Sequence, residues 1–517
     1  MVKFFKIIEK IVWIIAALTI AAVLAMVFIG AFANLDPNLG LDPLPDIDFN
    51  IRCGNTLVGY ATQKELEAGI AYSDFFTAEE FRNKVTEEME KVSLTYDVFK
   101  TVQLTQAEDM AAFKRVKHDL KVRLATLNGL LNRQMYGSIS STVDYDAWLS
   151  SHQPFHWLAE FYEIINDHGG FDVIIGNPPY VVYNERNYEY KIADYKTDEC
   201  KDLYAFVIER SLRISSQQRA FGMIVPISIV STDGFSSLRN LMANSSLEIW
   251  YSNYSMRPGK LFDGVEKHLS IFVAHDGEFT IHSTKYHRWY SEERKELFKS
   301  IAYVSLPNNT LLIGSIPKVG DSIGVSILEK IQNDKNMAFS SCSESEYPLC
   351  HTRKLRYFVQ FLDKAPIIYN EDGTLRVTSE LKCIKYDTDD KRYAANAVYL
   401  STLFFWYFIS HSDCRNLNKR EVDMFPFSLY SYTDISKLSR LGHQILDNLQ
   451  KNSSFIEANY KKYGKLSMQV FQPRLSKEVA DEIDKLLASH YGFTEKELDF
   501  IINYDIKYRM GDELNEE

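Results

Sequence analysis

A short apolar run that stops at two consecutive prolines leaves few local structures open, and Phe171-Asp-Val-Ile-Ile-Gly-Asn-Pro-Pro-Tyr180 is such a segment. Phe171 to Ile175 follows Gly169-Gly170 and reads as a strand buried on both faces of a parallel sheet. The prolines fix their own φ and restrict the residue before each, so Asn177 is expected to be extended, its amide aimed off the carboxyl end of the strand. Ligands bind at that end in open α/β sheets. The Asn177 side-chain oxygen and the Pro178 carbonyl can converge as acceptors on one NH2 group, and Tyr180 offers a flat face to a heteroaromatic ring. Methyl transfer to a conjugated amine needs the nitrogen lone pair turned toward the donor, which two acceptors on its hydrogens favour. The plain alternative is that Asn177 to Tyr180 merely end a strand.

A chain of 517 residues with 46% hydrophobic content can bury two or three cores of ordinary size. No repeat or low-complexity stretch is apparent. Its six cysteines lie far apart with no C-x-x-C pair, which argues against a zinc ribbon and a disulfide scaffold, and no metal is implied. The net charge of -11 is unhelpful for binding nucleic acid, so any such cleft must be a local basic patch.

Residues 62 to 136 read as mostly helical, and Val116, Leu120, Leu124, Leu127 and Leu131 keep helical spacing among six cations that read as a solvated face, with phosphate contact as the alternative. From Phe155 to Ala274 apolar strands alternate with helical stretches, the pattern of a βα sheet domain, and Leu247–Tyr254 with Leu269–His275 reads as a hairpin with a long loop. Beyond about residue 300 only a mixed α/β module is legible. Phe404-Phe-Trp-Tyr-Phe408 reads as core, with base stacking as the alternative.

Several stretches together resemble adenine-specific DNA methyltransferases of the type IIG restriction-modification group. Asp48-Phe-Asn-Ile-Arg-Cys-Gly-Asn-Thr-Leu57 is similar to that family's third-strand motif. Pro154-Phe-His-Trp157 with Glu160-Phe161, Asp202-Leu-Tyr-Ala-Phe206 and Gly222-Met-Ile-Val-Pro226 resemble the segments that flank its catalytic strand. Tyr491 to Gly511 resembles its ending. The resemblance implies S-adenosyl-L-methionine as cofactor, with Asn55 facing its adenine, and double-stranded DNA as partner. It implies that Asn177, Pro178, Pro179 and Tyr180 receive an adenine extruded from the duplex, in a cleft for which Phe262 and Tyr183 are candidate walls or core residues. It also assigns the later region to target recognition, where Arg353, Lys354 and Arg356, and Arg415, Asn416, Lys419 and Arg420, are candidates for contacts with phosphates and base edges. The expected fold is α/β: residues 40–290 an incomplete Rossmann-like methyltransferase sheet with a helical insertion at 62–150, 300–470 a mixed α/β recognition region, and 471–517 a helical tail.

The resemblance stops at the amino end. No strand with a glycine-rich turn for the cofactor precedes Asn50, and Gly314 to Gly324 has scattered glycines without the preceding strand. Residues 1–34 instead hold Ile11 to Ala33, an uncharged run long enough to span a bilayer, after Lys3, Lys6 and Lys10. As an anchor it would send the rest of the chain out of the cytoplasm, away from DNA and cofactor. The favoured expectation is a cytoplasmic adenine-N6 methyltransferase region whose cofactor half is missing from this chain; membrane anchoring is the competing one. The alternatives are a catalytically silent DNA-binding or membrane-tethered remnant that needs a partner polypeptide, and methylation of RNA or a glutamine side chain. No nuclease motif stands out.

Overall fold

The computed structural model describes residues 47–511 except 71–74, 105–108, 139–142, 185, 187, 189, 312–313, 335–346, 356, 379–380 and 428–434. The apolar run from Ile11 to Ala33 and the cation Arg356 therefore lie outside the described residues. Among those described, no helix is long and apolar enough to cross a membrane. Residues 83–127, with the described residues up to Cys53, form one compact unit, and the rest form a second.

The first unit uses parts of two long helices, α1 (Phe75–Leu104) and α2 (Met110–Ser138). Leu120, Leu124 and Leu127 are buried, as their spacing requires. Phe49 meets Phe99 edge-on with ring centroids 4.9 Å apart. Three cations of α2 are engaged by nearby carboxylates: Lys117 and Lys121 contact Asp48 at 2.7 and 2.9 Å, and Arg123 contacts Asp119 at 3.1 Å. Hydrogen bonds from the two lysines hold the Asp48 carboxyl down at about 2.

The second unit is built on a six-stranded sheet of β1 (Phe171–Gly176), β2 (Ser215–Pro226), β3 (Leu247–Tyr254), β4 (Leu269–Asp276), β5 (Thr280–His287) and β6 (Val304–Ser305) in the order β1-β2-β4-β3-β5-β6. The sheet is mixed. β1 runs parallel to β2 and β3 parallel to β5, while β4 is antiparallel to both of its neighbours. The doubly buried parallel strand expected at Phe171 is thus corrected: among the described residues β1 pairs with β2 alone, and Val173 and Ile175 are 59% and 82% exposed. An uninterrupted apolar run looks the same at an edge as at a centre. The Asn55 stretch is likewise no strand of this sheet. It runs beside residues 153–158, where the Asn55 amide donates to the Gln153 carbonyl at 2.8 Å and the Phe155 amide to Val58 at 2.7 Å.

α3 (Leu203–Ile214) and α4 (Ser236–Ala243) pack on the sheet, and the same core continues into the carboxyl-terminal helices α5 (Ser322–Gln332), α6 (Asp389–Leu400), α7 (Thr402–His411), α8 (Ile435–Lys451), α9 (Lys477–Tyr491) and α10 (Glu495–Ile502). α7 carries the aromatic run, and Phe404 to Phe408 are each at most 1% exposed, so they are core. A helix apolar on every side is stable only when surrounded. Its buried ends need partners, and they have them. Asp484 accepts from the Thr402 and Leu403 amides at 3.1 and 3.0 Å, while Lys318 Nζ donates to the Ser410 and Ser412 carbonyls at 2.9 and 2.8 Å.

Two small sheets complete the unit. β7 (Tyr347–Thr352), β8 (Phe361–Leu362) and β10 (Leu381–Tyr386) form one, and β9 (Ile368–Asn370), β11 (Ser454–Tyr460) and β12 (Gly464–Val470) the other. In the first, Cys350 faces Cys383 across the β7/β10 ladder and the two form a disulfide. Strand register brings together two cysteines that lie 33 residues apart in the sequence.

Candidate active site at the carboxyl end of β1

Asn177 leaves β1 exposed and Pro178 is buried, as expected of a turn whose first proline packs inward and whose amide stays accessible. The Tyr180 hydroxyl lies 2.7 Å from Asn177 Oδ1 and 2.9 Å from the Ile224 carbonyl of β2. Both are acceptors, and a phenol has a single proton. Turning the Asn177 amide resolves the conflict: Nδ2 then donates to the Tyr180 oxygen, Tyr180 donates to Ile224, and Oδ1 is left to accept from a ligand. Tyr180 thus acts as a brace for the amide. Its ring packs against the cluster of Tyr254, Leu261, Leu269 and Trp289, and burial pushes its hydroxyl up to about 12, so it stays protonated. Lys267 Nζ donates to the Tyr180 carbonyl at 2.9 Å.

Of the two candidate walls, Phe262 packs against the same cluster as Tyr180. Tyr183 belongs to a separate core with Leu57, Leu203 and Phe206, where its hydroxyl accepts from the Ile192 amide at 2.9 Å. The Asn55 side chain is engaged locally: Oδ1 accepts from the Leu57 amide at 3.1 Å, and the Tyr190 hydroxyl is within its hydrogen-bonding reach.

Asp202 is a further candidate near the site that sequence reading did not single out as chemically active. It faces Val182 in an isolated antiparallel bridge just beyond Tyr180, and one carboxylate oxygen is buried without a hydrogen bond. Burial pushes its carboxyl up to about 6, only partly offset by the Leu203 and Tyr204 amides and by Lys267. A raised acid pKa means the folded state holds the proton more tightly, so this group stabilises the fold below about pH 4 and progressively less as pH rises toward 6. Asp202→Asn should therefore raise stability at pH 7.5 by up to about 3 kcal/mol, with the gain vanishing at pH 4. Urea unfolding at both pH values checks it, and equal gains at the two would remove the assignment.

The two cationic clusters of the later region, 62 residues apart between Arg353 and Arg415, meet in space. Lys354 and Asn416 form an antiparallel bridge, and the Leu355 amide donates to the Arg415 carbonyl at 2.9 Å. Arg353, Lys354 and Arg415 are exposed, as is Lys419, which pairs with Asp423. Asn416 and Arg420 serve the protein itself. Asn416 Nδ2 donates to Asp413 at 2.8 Å, and Arg420 donates to Asp233 at 2.7 Å and to the Ser231 and His411 carbonyls at 2.9 Å each.

Residues 78–255, which contain β1, Asn177 to Tyr180, α3, β2 and β3, match the Eco57I restriction-modification methylase family. Over 250 residues the chain is 25% identical to a Methanocaldococcus jannaschii protein named as a type II restriction enzyme and methyltransferase; the alignment covers 38% of this chain and 20% of that protein. The chain thus spans about a fifth of the length of the curated relative it matches. Among solved structures it is similar to the type IIL restriction-modification enzyme MmeI in complex with DNA, at 11% identity and a TM-score of 0.36, covering 83% of this chain and 76% of that one. The DrdV–DNA complex gives 10% identity and a TM-score of 0.31, covering 76% and 60%.

Proposed function

We propose that this chain carries the amine-binding side of a DNA methyltransferase of the restriction-modification type, with adenine N6 as the methylated atom. The observation that carries the reading is the braced, accessible amide of Asn177 at the carboxyl end of β1, inside the span that matches the methylase family. Asn177 Oδ1 and the Pro178 carbonyl accept the two hydrogens of the exocyclic amine, and Pro179 and the Tyr180 brace keep those acceptors fixed. A neutral adenine amine loses its proton only after the methyl group has arrived, so no strong base is needed before transfer.

S-adenosylmethionine supplies the methyl group in this reading, and its site is the less complete half. Among the described residues no strand with a glycine-rich turn lies beside β1, and Asn55 already meets Leu57 and Tyr190. These residues do not amount to a cofactor site. A partner polypeptide bearing the glycine turn, paired along the open edge of β1 at Val173 and Ile175, would supply the rest. Calorimetry on this chain alone should show no micromolar binding of S-adenosylmethionine, and a heat of binding in that range would contradict this half of the proposal. The decisive experiment mixes the chain with a glycine-turn half taken from a relative and measures transfer of labelled methyl groups to duplex DNA. Label appearing in RNA or protein instead would overturn the substrate assignment.

A further inference from the structure

We propose that a cavity at the same end of the sheet as the amine site, lined by Arg257, His268, Arg288, Lys354 and Arg415, seats a phosphodiester of the bound DNA; this rests on the functional reading above. The cavity has a volume of about 360 Å³, within the range of ligand sites. It opens at the end of the sheet that carries Asn177. Pro226 of β2 pairs with Leu269 of β4, and Tyr254 of β3 pairs with both Leu269 and His287 of β5, so the residues just beyond these positions, Ser255, His268 and Arg288, share that end.

Its charge is one-sided. Four cations line it and no carboxylate does, in a protein whose net charge is -11. Arg288 is fixed: it donates to Asp505 at 2.7 Å and lies over the Tyr286 and Tyr357 rings at 5.2 and 5.3 Å. The other three are held far less. Arg257 reaches Glu266 only at 3.9 Å, and Lys354 and Arg415 make no salt bridge among the described residues. The nearby Asp413 carboxylate is engaged by the Arg415 and Asn416 amides at 2.8 and 2.7 Å. Glu266 is the carboxylate that interacts with both Arg257 and Arg415, but it hydrogen-bonds to Lys260 at 3.1 Å, so the cations at this mouth are only partly compensated and a bound anion would be favourable.

His268 adds a neutral imidazole. Burial holds its pKa at about 4, and Nδ1 pairs with the Tyr286 hydroxyl at 2.5 Å; with the phenol as donor of that bond, the ring proton sits on Nε2. A carboxylate or a phosphate would suit such a mouth equally well. The extruded nucleotide received at Asn177 brings phosphodiesters with it, and the cavity lies at that end of the sheet.

The test is binding of a fluorescent 30-base-pair duplex to the full chain at several salt concentrations, with inorganic phosphate as competitor. Lys354→Ala/Arg415→Ala should weaken binding at least tenfold and lower the slope of log K against log salt by about 2. Lys114→Ala/Arg115→Ala, which removes two exposed cations of α2, should change neither. Equal losses in both double variants would overturn the inference in favour of diffuse attraction, and millimolar phosphate displacing the duplex only from the parent's cavity cations would support it. Unchanged binding in Lys354→Ala/Arg415→Ala, with methyl transfer to DNA still present in the reconstituted mixture, would sink the cavity and leave the function standing. No binding of the parent to any duplex would sink both.

Discussion

Asn177→Ala should lower transfer of labelled methyl groups to duplex DNA by about 10²- to 10³-fold in the reconstituted mixture, the range found when one preorganised polar group facing the reacting centre is removed. The loss should fall on the rate of transfer more than on DNA affinity, because the amide contributes a single contact to a large charged ligand. Tyr180→Phe separates bracing from contact. It keeps the ring in its cluster but removes the oxygen that lies 2.7 Å from the Asn177 amide and 2.9 Å from Ile224. With the amide free to turn, transfer should fall by about tenfold and thermal stability by only about 1 kcal/mol. If Asn177→Ala transferred methyl groups within threefold of the parent, the amide would not be the amine acceptor. If Tyr180→Phe were as damaging as Asn177→Ala, the ring itself would have to contact the base.

How far the sequence reveals this site depends on what each residue answers to. β3 occupies Leu247–Tyr254, the range its β-rich run suggests, and Phe404 to Phe408 are buried, because both follow from local apolar pattern. The exposure of Val173 and Ile175 follows instead from which strands are neighbours, which a local pattern does not encode. Arg420 and Arg415 look alike in one cationic turn, yet the first is bound to Asp233 and two carbonyls while the second lies open beside Lys354. That difference is set by chain segments nearly two hundred residues away. Asp202 is similar: only the fold buries one of its oxygens without a partner. The joining of the 353–355 and 415–417 segments is likewise a product of long-range pairing, so neither segment alone reveals the cavity they border.

Gly170→Ala should be strongly damaging, because it adds a methyl group where β1 begins, at the end of the strand opposite Asn177. Gly170 has φ of +126° immediately before β1, where its amide donates to the Ile164 carbonyl at 2.7 Å. A Cβ there would sit 2.4 Å from the Ser215 carbonyl carbon and 2.6 Å from the Ser216 nitrogen, both main-chain atoms of the strand that β1 pairs with. No rotamer change relieves that contact; β1 must move away from β2 or the chain must leave its φ. The conformational term alone costs about 1–3 kcal/mol, and the displaced backbone should bring the total to about 4 kcal/mol, in the range reserved for steric conflict or strain. Because Phe171 pairs with Ser215 at the start of the ladder, the shift propagates along β1 to Asn177, so methyl transfer should fall even in the fraction that remains folded. Gly169→Ala is the matched comparison: its φ of +76° is also unfavourable to alanine, but nothing lies within 4 Å of the added carbon. It should cost only about 1 kcal/mol and spare transfer by the folded protein. Equal melting temperatures for the two variants would show that the contact with Ser215 does not set the position of β1, and the tight β1/β2 approach would then have to be maintained from the far end, through Tyr180 and Ile224.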